Sequence, residues 1–148
     1  MTDKPIALED RASDGDRMFS PSAGRNKHLI ASWLGEALPA HARVLEVGSG
    51  TGEHGAALGA LRTDVIWQYS DPDEASRASQ NAWKVAHWPD ALALDLTQAN
   101  WAEALPRFDA IFSANMIHIA PIEAAEGLAR SAAGLTDTVI LYGPFLIG

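Results

Sequence analysis

The run VLEVGSGTGEH, Val44 to His54, constrains this chain more than any other stretch. Val44-Leu45-Glu46-Val47 reads as a short buried strand, and Gly48, Gly50 and Gly52 come at once with a helix behind them. Residues without a side chain let the backbone turn sharply and approach a ligand closely, so the spacing predicts a strand, a ligand-binding turn and a helix. A dinucleotide fingerprint, GxGxxG, would place its third glycine at position 53, where this chain has Glu53. That argues against a nicotinamide dinucleotide. Glu46, two residues before the first glycine, suits a positively charged ligand better than a pyrophosphate. Ser49 and Thr51 lie between the glycines and belong to the same candidate loop.

The remaining segments alternate between strand and helix. Residues 1–21 are polar with scattered apolar positions and read as an arm, mobile without ligand, ahead of a domain over 22–148. Over 25–38, Leu29, Ile30, Trp33, Leu34, Ala37 and Leu38 recur at helical spacing, and Pro39 ends the helix. After the loop helix, Val65-Ile66-Trp67-Gln68-Tyr69 has the β-branched and aromatic content of a buried strand. Asp71-Pro72-Asp73-Glu74 then opens a helix that runs to about Val85. Further strands are expected at 91–94, 108–112 and 138–142, with helices near 100–105 and from Pro121 to just before Gly134. This order implies an α/β fold with a doubly wound, mostly parallel sheet and a binding crevice at the carboxyl ends of the strands.

The residues just past each strand therefore carry the chemistry. Asp71, about twenty residues beyond the loop, can accept two hydrogen bonds from ribose hydroxyls, or it can cap the next helix. Asp95 can accept from an adenine amino group, with Leu96 beside the ring; the alternative is again a cap. After the fourth strand, Asn115 and His118 stand where an acceptor would meet the ligand, with His118 the candidate base and Asn115 the candidate orienting group. His54, at a helix start that disfavours imidazolium, is expected to stay neutral. His28, His41 and His87 lack metal-ligand spacing, and no metal site is expected.

The pattern E-x-G-x-G-x-G resembles motif I of class I S-adenosylmethionine (SAM)-dependent methyltransferases. Beyond it, RMFSPSAGRNKHLI, SGTGEH, WQYSDPD, NMIHIAP and LYGPF occur in order, so that the chain resembles the DUF938 family of methyltransferase-like proteins, which includes the methyltransferase-like protein 26 group. The resemblance spans about Arg17 to Phe145. It implies a Rossmann-like methyltransferase fold and a SAM site built from Glu46, Gly48, Gly50, Asp71 and Asp95, with Asn115 after the fourth strand and S-adenosylhomocysteine (SAH) as product. It also implies that Ser20-Pro21, Arg25 and Asn26 fold over the ligand, with Arg25 as partner for its carboxylate. Two positions depart from the family pattern, Gly24 where an acid is usual and Gly48 where alanine is frequent. A class I sheet has the order 3-2-1-4-5-7-6, and this chain stops six residues after its fifth strand. The expectation is a C-terminally incomplete domain; the other possibility is an open edge covered by a second subunit, as in a homodimer.

The 148 residues suit one domain, and a formal net charge of -8 disfavours binding to nucleic-acid phosphates, leaving a small-molecule substrate as the expected partner. There is no cysteine, hence no disulfide or thiolate metal site, and no apolar run of membrane-spanning length. A cytoplasmic location without membrane association is expected. The sequence supports two functions: methyl transfer from SAM to an unassigned acceptor, or SAM/SAH binding without catalysis by a sensor or partner subunit.

Overall fold

The computed structural model describes residues 12–114 and 122–142. Its centre is a four-stranded, all-parallel sheet of β3 (Arg43–Glu46), β4 (Ile66–Gln68), β5 (Ala110–Ala114) and β6 (Val139–Tyr142) in the order β4-β3-β5-β6. A parallel bridge, Ser70 to Leu92, continues the order beyond β4. This is the doubly wound, parallel α/β arrangement that the alternation of strands and helices predicts. The strand expected at 91–94 shrinks to that bridge, because Asp95 turns the chain by accepting the Thr97 amide at 3.0 Å.

Alternate residues of each central strand serve opposite faces. Val44 and Phe112 join a core with Trp67, Tyr69 and Leu58, whereas Leu45 and Ile111 join another with Leu94, Leu96 and Leu128. Burial on both sides is what a parallel sheet flanked by helices requires, and it explains why β3 and β5 read as nearly continuous apolar runs. Helices α1 (Pro21–Ala37) and α2 (Glu53–Leu61) pack together over the first core, and α4 (Ile122–Ser131) covers the second.

Helix α1 starts earlier than its apolar periodicity suggests, since Pro21 takes the first helical position and Ser20 caps it by accepting the Ala23 amide. The helix is also rotated. Ala23, Ile30, Ala31 and Leu34 are buried, while Leu29 and Trp33 are 67% and 55% exposed. The small Ala31 in the buried stripe lets α1 approach its neighbours closely, and larger residues fall on the flank. At the far end, the Arg62 guanidinium donates to the carbonyls of Gly35, Leu38 and Pro39, satisfying the C-terminal turn.

Two further segments depart from expectation. Residues 12–19, expected to belong to a polar arm, form an antiparallel hairpin of β1 (Ala12–Asp14) and β2 (Arg17–Phe19) that docks on α3 (Glu74–Trp83). Residues 100–105 make only short turns, closed by Glu103 N–H to Asn100 O and Leu105 N–H to Ala102 O, instead of a helix. Pro106 explains this by disfavouring helical geometry at Leu105 and supplying no amide donor. None of the described helices is long and apolar enough to cross a membrane.

Candidate ligand-binding site

The turn between β3 and α2 alternates glycine with polar residues because Gly48, Gly50 and Gly52 adopt φ of 62°, 60° and 93°. Other residues rarely tolerate that left-handed region. At Gly52 a side chain would also fail on space, because its Cβ would lie 3.0 Å from the Gln80 Cα. At Gly48 the same construction meets nothing within 4 Å, so the backbone there borders open space. The loop thus rests tightly on α3 at one end and is open at the other.

Side chains from α3 and from the end of β4 hold this turn. Tyr69 O–H donates to Gly52 O at 2.7 Å, Gln80 Nε2 to Gly50 O at 2.9 Å, and Ser79 Oγ to Thr51 O at 2.6 Å. Ser49 faces inward: its amide donates to Ser70 O and its hydroxyl to Glu46 O. Thr51 Oγ1 accepts the Glu53 amide at 3.4 Å. The hydroxyls of Ser49 and Thr51 therefore shape the loop, and what the loop presents to a ligand is backbone.

Asp71 lies just past β4. Its Oδ2 accepts the Gly50 amide at 2.9 Å and the Gln80 side-chain amide at 3.3 Å, and its Oδ1 accepts the Asp73 amide at 3.0 Å. Burial raises its pKa, against the lowering effect of the Asp73 and Gly50 amides. The cap of α3 is not Asp71. Asp73 caps α3, accepting the Ser76 amide and hydroxyl, so Asp71 belongs to the loop. An oxygen with one donor retains a lone pair for a hydroxyl.

Glu46 does not present a carboxylate to a cation, contrary to expectation. Its carboxyl is sealed under the loop, Oε1 accepting the Trp67 indole N–H at 3.1 Å, and burial pushes its pKa up to about 8. It is therefore mostly neutral at pH 7, and it serves the strand end on which the turn is built. Leu96 likewise packs in the core beneath α4 and has no free face for a ring. Asp95 is exposed, its Oδ1 accepting both the amide and the hydroxyl of Thr97, which hold its pKa below the usual value. No helix follows it, so its role as a cap reduces to a local turn.

Arg25 is exposed and Asn26 half-buried on the first turns of α1. Asn115 and His118 lie outside the described residues. Their approach is marked by β5, which ends at Ala114 after the buried Ser113, whose hydroxyl has no hydrogen-bond partner among the described residues.

Three groups escaped sequence reasoning. Glu53, noticed only for not being glycine, is buried at the start of α2, where it accepts the Ser20 amide at 2.6 Å and pairs with Lys27 at 3.3 Å. An acid in the first turn of a helix was the available signal. Trp67, read as plain core, supplies the indole that holds Glu46. Gln80 reaches back across thirty residues to Gly50, a contact that no local pattern announces.

His54 remains neutral, as expected. Burial, then the nearby Lys27 charge, lowers its pKa to about 4, and its ring stands edge-on to Phe112 at 6.2 Å.

The family model described as "Protein of unknown function (DUF938)" matches residues 17–148. The chain belongs to this family. Among solved structures, the DUF938 chain is similar to magnesium protoporphyrin IX methyltransferase (ChlM) from Synechocystis PCC 6803 with bound SAM, at TM-score 0.58 and 18% identity over 78% of this chain and 56% of that one. It is also similar to an O-methyltransferase family protein from Burkholderia thailandensis, at TM-score 0.64 and 17% identity over 80% and 37%. A third match is the S-adenosylmethionine-dependent methyltransferase SibL in its apo form, at TM-score 0.64 and 20% identity over 84% and 36%. The DUF938 chain thus spans little more than half of the first of these proteins and about a third of the others. At these identities the likeness shows a shared methyltransferase fold.

Proposed function

We propose that this protein is a SAM-dependent methyltransferase that acts on a small-molecule acceptor. The observation that carries the reading is the glycine turn bonded to Asp71, a carboxylate just past the neighbouring parallel strand. In a sheet of this kind that is where a nucleoside ligand binds. The residues fit such a group: backbone open at Gly48, a buried carboxylate for ribose hydroxyls at Asp71, and an exposed carboxylate for the adenine amino group at Asp95. Arg25, with Asn26 beside it, is assigned to the methionine carboxylate.

When bound, SAM supplies a methyl group on a sulfonium sulfur, which is already an activated leaving group. The protein then needs mainly to align the acceptor and exclude water. The neutral Glu46 beneath the loop supports the fold of the turn and leaves ligand recognition to backbone and Asp71. Asn115 and His118 are assigned to the acceptor side, with His118 taking the acceptor's proton and Asn115 orienting it.

The test is incubation with SAM and a metabolite extract, with SAH followed by mass spectrometry. The expected result is extract-dependent SAH formation that falls in His118→Ala while SAM affinity is kept. Tight SAM binding with no SAH formed from any extract fraction would replace this reading with that of a non-catalytic binder.

A further inference from the structure

Ser79 on α3 is fully buried and joins two parts of the chain that are far apart in sequence. Its hydroxyl donates to Thr51 O, inside the glycine turn, at 2.6 Å and accepts the Met18 amide, in strand β2, at 2.8 Å. A few residues along the helix, Trp83 donates its indole N–H to Met18 O at 3.1 Å and packs edge-on against Phe19 at 5.3 Å. Arg17 closes the contact, with its guanidinium 4.6 Å from the Trp83 ring and its Nε donating to Ala82 O. On the other side of the turn, Glu53 receives the Ser20 amide and the Lys27 ammonium. The segment from Arg17 to Lys27 is therefore bonded directly to Glu53 and, through the Ser79 hydroxyl, to Thr51.

We infer that the N-terminal hairpin is a positioning element of the donor site, its docking on α3 being transmitted through the Ser79 hydroxyl to the Thr51 carbonyl and through Glu53 to the start of α2. The inference rests on the donor-binding reading and extends it. Ser79 and Trp83 are positioning residues, acting on the ligand only through the backbone of the turn. The turn gains from such bracing because three of its residues are glycines, whose backbone is free to adopt many other conformations unless surrounding contacts restrict it. A hydroxyl that both donates and accepts also couples its partners, since each bond polarises the next.

Two variants separate this role from plain fold support. Ser79→Ala removes the shared hydroxyl. Trp83→Ala loosens the hairpin at a half-buried ring whose indole N–H bonds to β2 and not to the turn. The measurements are calorimetric titration with SAH and hydrogen exchange of the amides over residues 47–55 and 12–19, in proteins shown by circular dichroism to be folded. Each variant is expected to weaken SAH binding by about tenfold. Exchange over residues 47–55 is expected to accelerate in both variants without ligand. If Trp83→Ala accelerates exchange over 12–19 but leaves residues 47–55 and SAH affinity at wild-type values, the coupling is refuted. A folded wild type that binds no SAH would refute the donor reading instead, and the ligand-free exchange comparison still decides whether hairpin and turn are coupled.

Discussion

Asp71 Oδ2 lies 2.9 Å from the Gly50 amide nitrogen, so a carboxylate at the end of β4 closes the turn that leaves β3. Two neighbouring parallel strands are tied at their carboxyl ends by one charge-bearing side chain, beside backbone open to solvent at Gly48. The site is built from main-chain geometry fixed by buried polar groups, and each of those groups makes a distinct prediction.

Glu46 links the site to pH. Its pKa is raised from 4.5 to about 8 in the fold, so the native state holds a proton that the unfolded chain has lost between those values. Stability contributed by this group is therefore full below about pH 4.5 and declines as pH rises toward 8. Glu46→Gln keeps an oxygen for the Trp67 indole and removes the titration. The variant should gain several degrees in Tm relative to wild type at pH 8 and little at pH 4.5, as read by thermal melts across pH.

His54 acts with the opposite sign. Its folded pKa, about 4, is below the unfolded value of 6.5, so its contribution is complete above 6.5 and is lost as pH falls through 4. His54→Gln should flatten the acid limb of the stability profile between pH 6.5 and 4, with no change in slope above 7. A wild-type acid limb in that variant would rule out His54 as its source.

Tyr69 tests the bracing of the turn. Its buried hydroxyl donates to Gly52 O at 2.7 Å, and Tyr69→Phe keeps the packing while removing the donor. The expected cost is about 1 kcal/mol. Denaturant unfolding should show it as a lower midpoint with unchanged slope.

Gly52→Ala tests the geometry itself. A methyl group at φ 93° and 3.0 Å from the Gln80 Cα has to displace backbone. The cost should be about 2 kcal/mol of strain, accompanied by weaker SAH binding. Gly24→Ala, at an exposed position where a Cβ meets nothing within 4 Å, is the control and should be neutral or slightly stabilising.

The framework of this fold was legible because its signals are local. Strand content at Val44 to Val47, glycines at alternate positions and Asp71 beyond the next strand specify the turn and its partner without tertiary information. Side-chain direction was less legible. The acid of the motif suggested a charge facing a ligand, yet Glu46 turns to Trp67, twenty-one residues away, and becomes neutral through burial. Leu96 looked available to a ring and is core. Asp71 read as a cap or a ligand group, and the cap of α3 is instead Asp73, two residues on, while Asp71 accepts the Gly50 amide. The hairpin at 12–19 escaped notice because its residues are polar and short-stranded, and it is held by α3 through Ser79 and Trp83. Trp33 joined the expected buried face of α1 by periodicity alone, whereas helix rotation is set by what the helix packs against.

Calorimetric titration of SAH into wild type and Asp71→Ala tests the central claim most directly. Wild type should show one site per chain, with affinity reduced at least about tenfold in a folded Asp71→Ala. A folded wild type that takes up no SAH, or an Asp71→Ala variant that binds it as tightly as wild type, would contradict the claim.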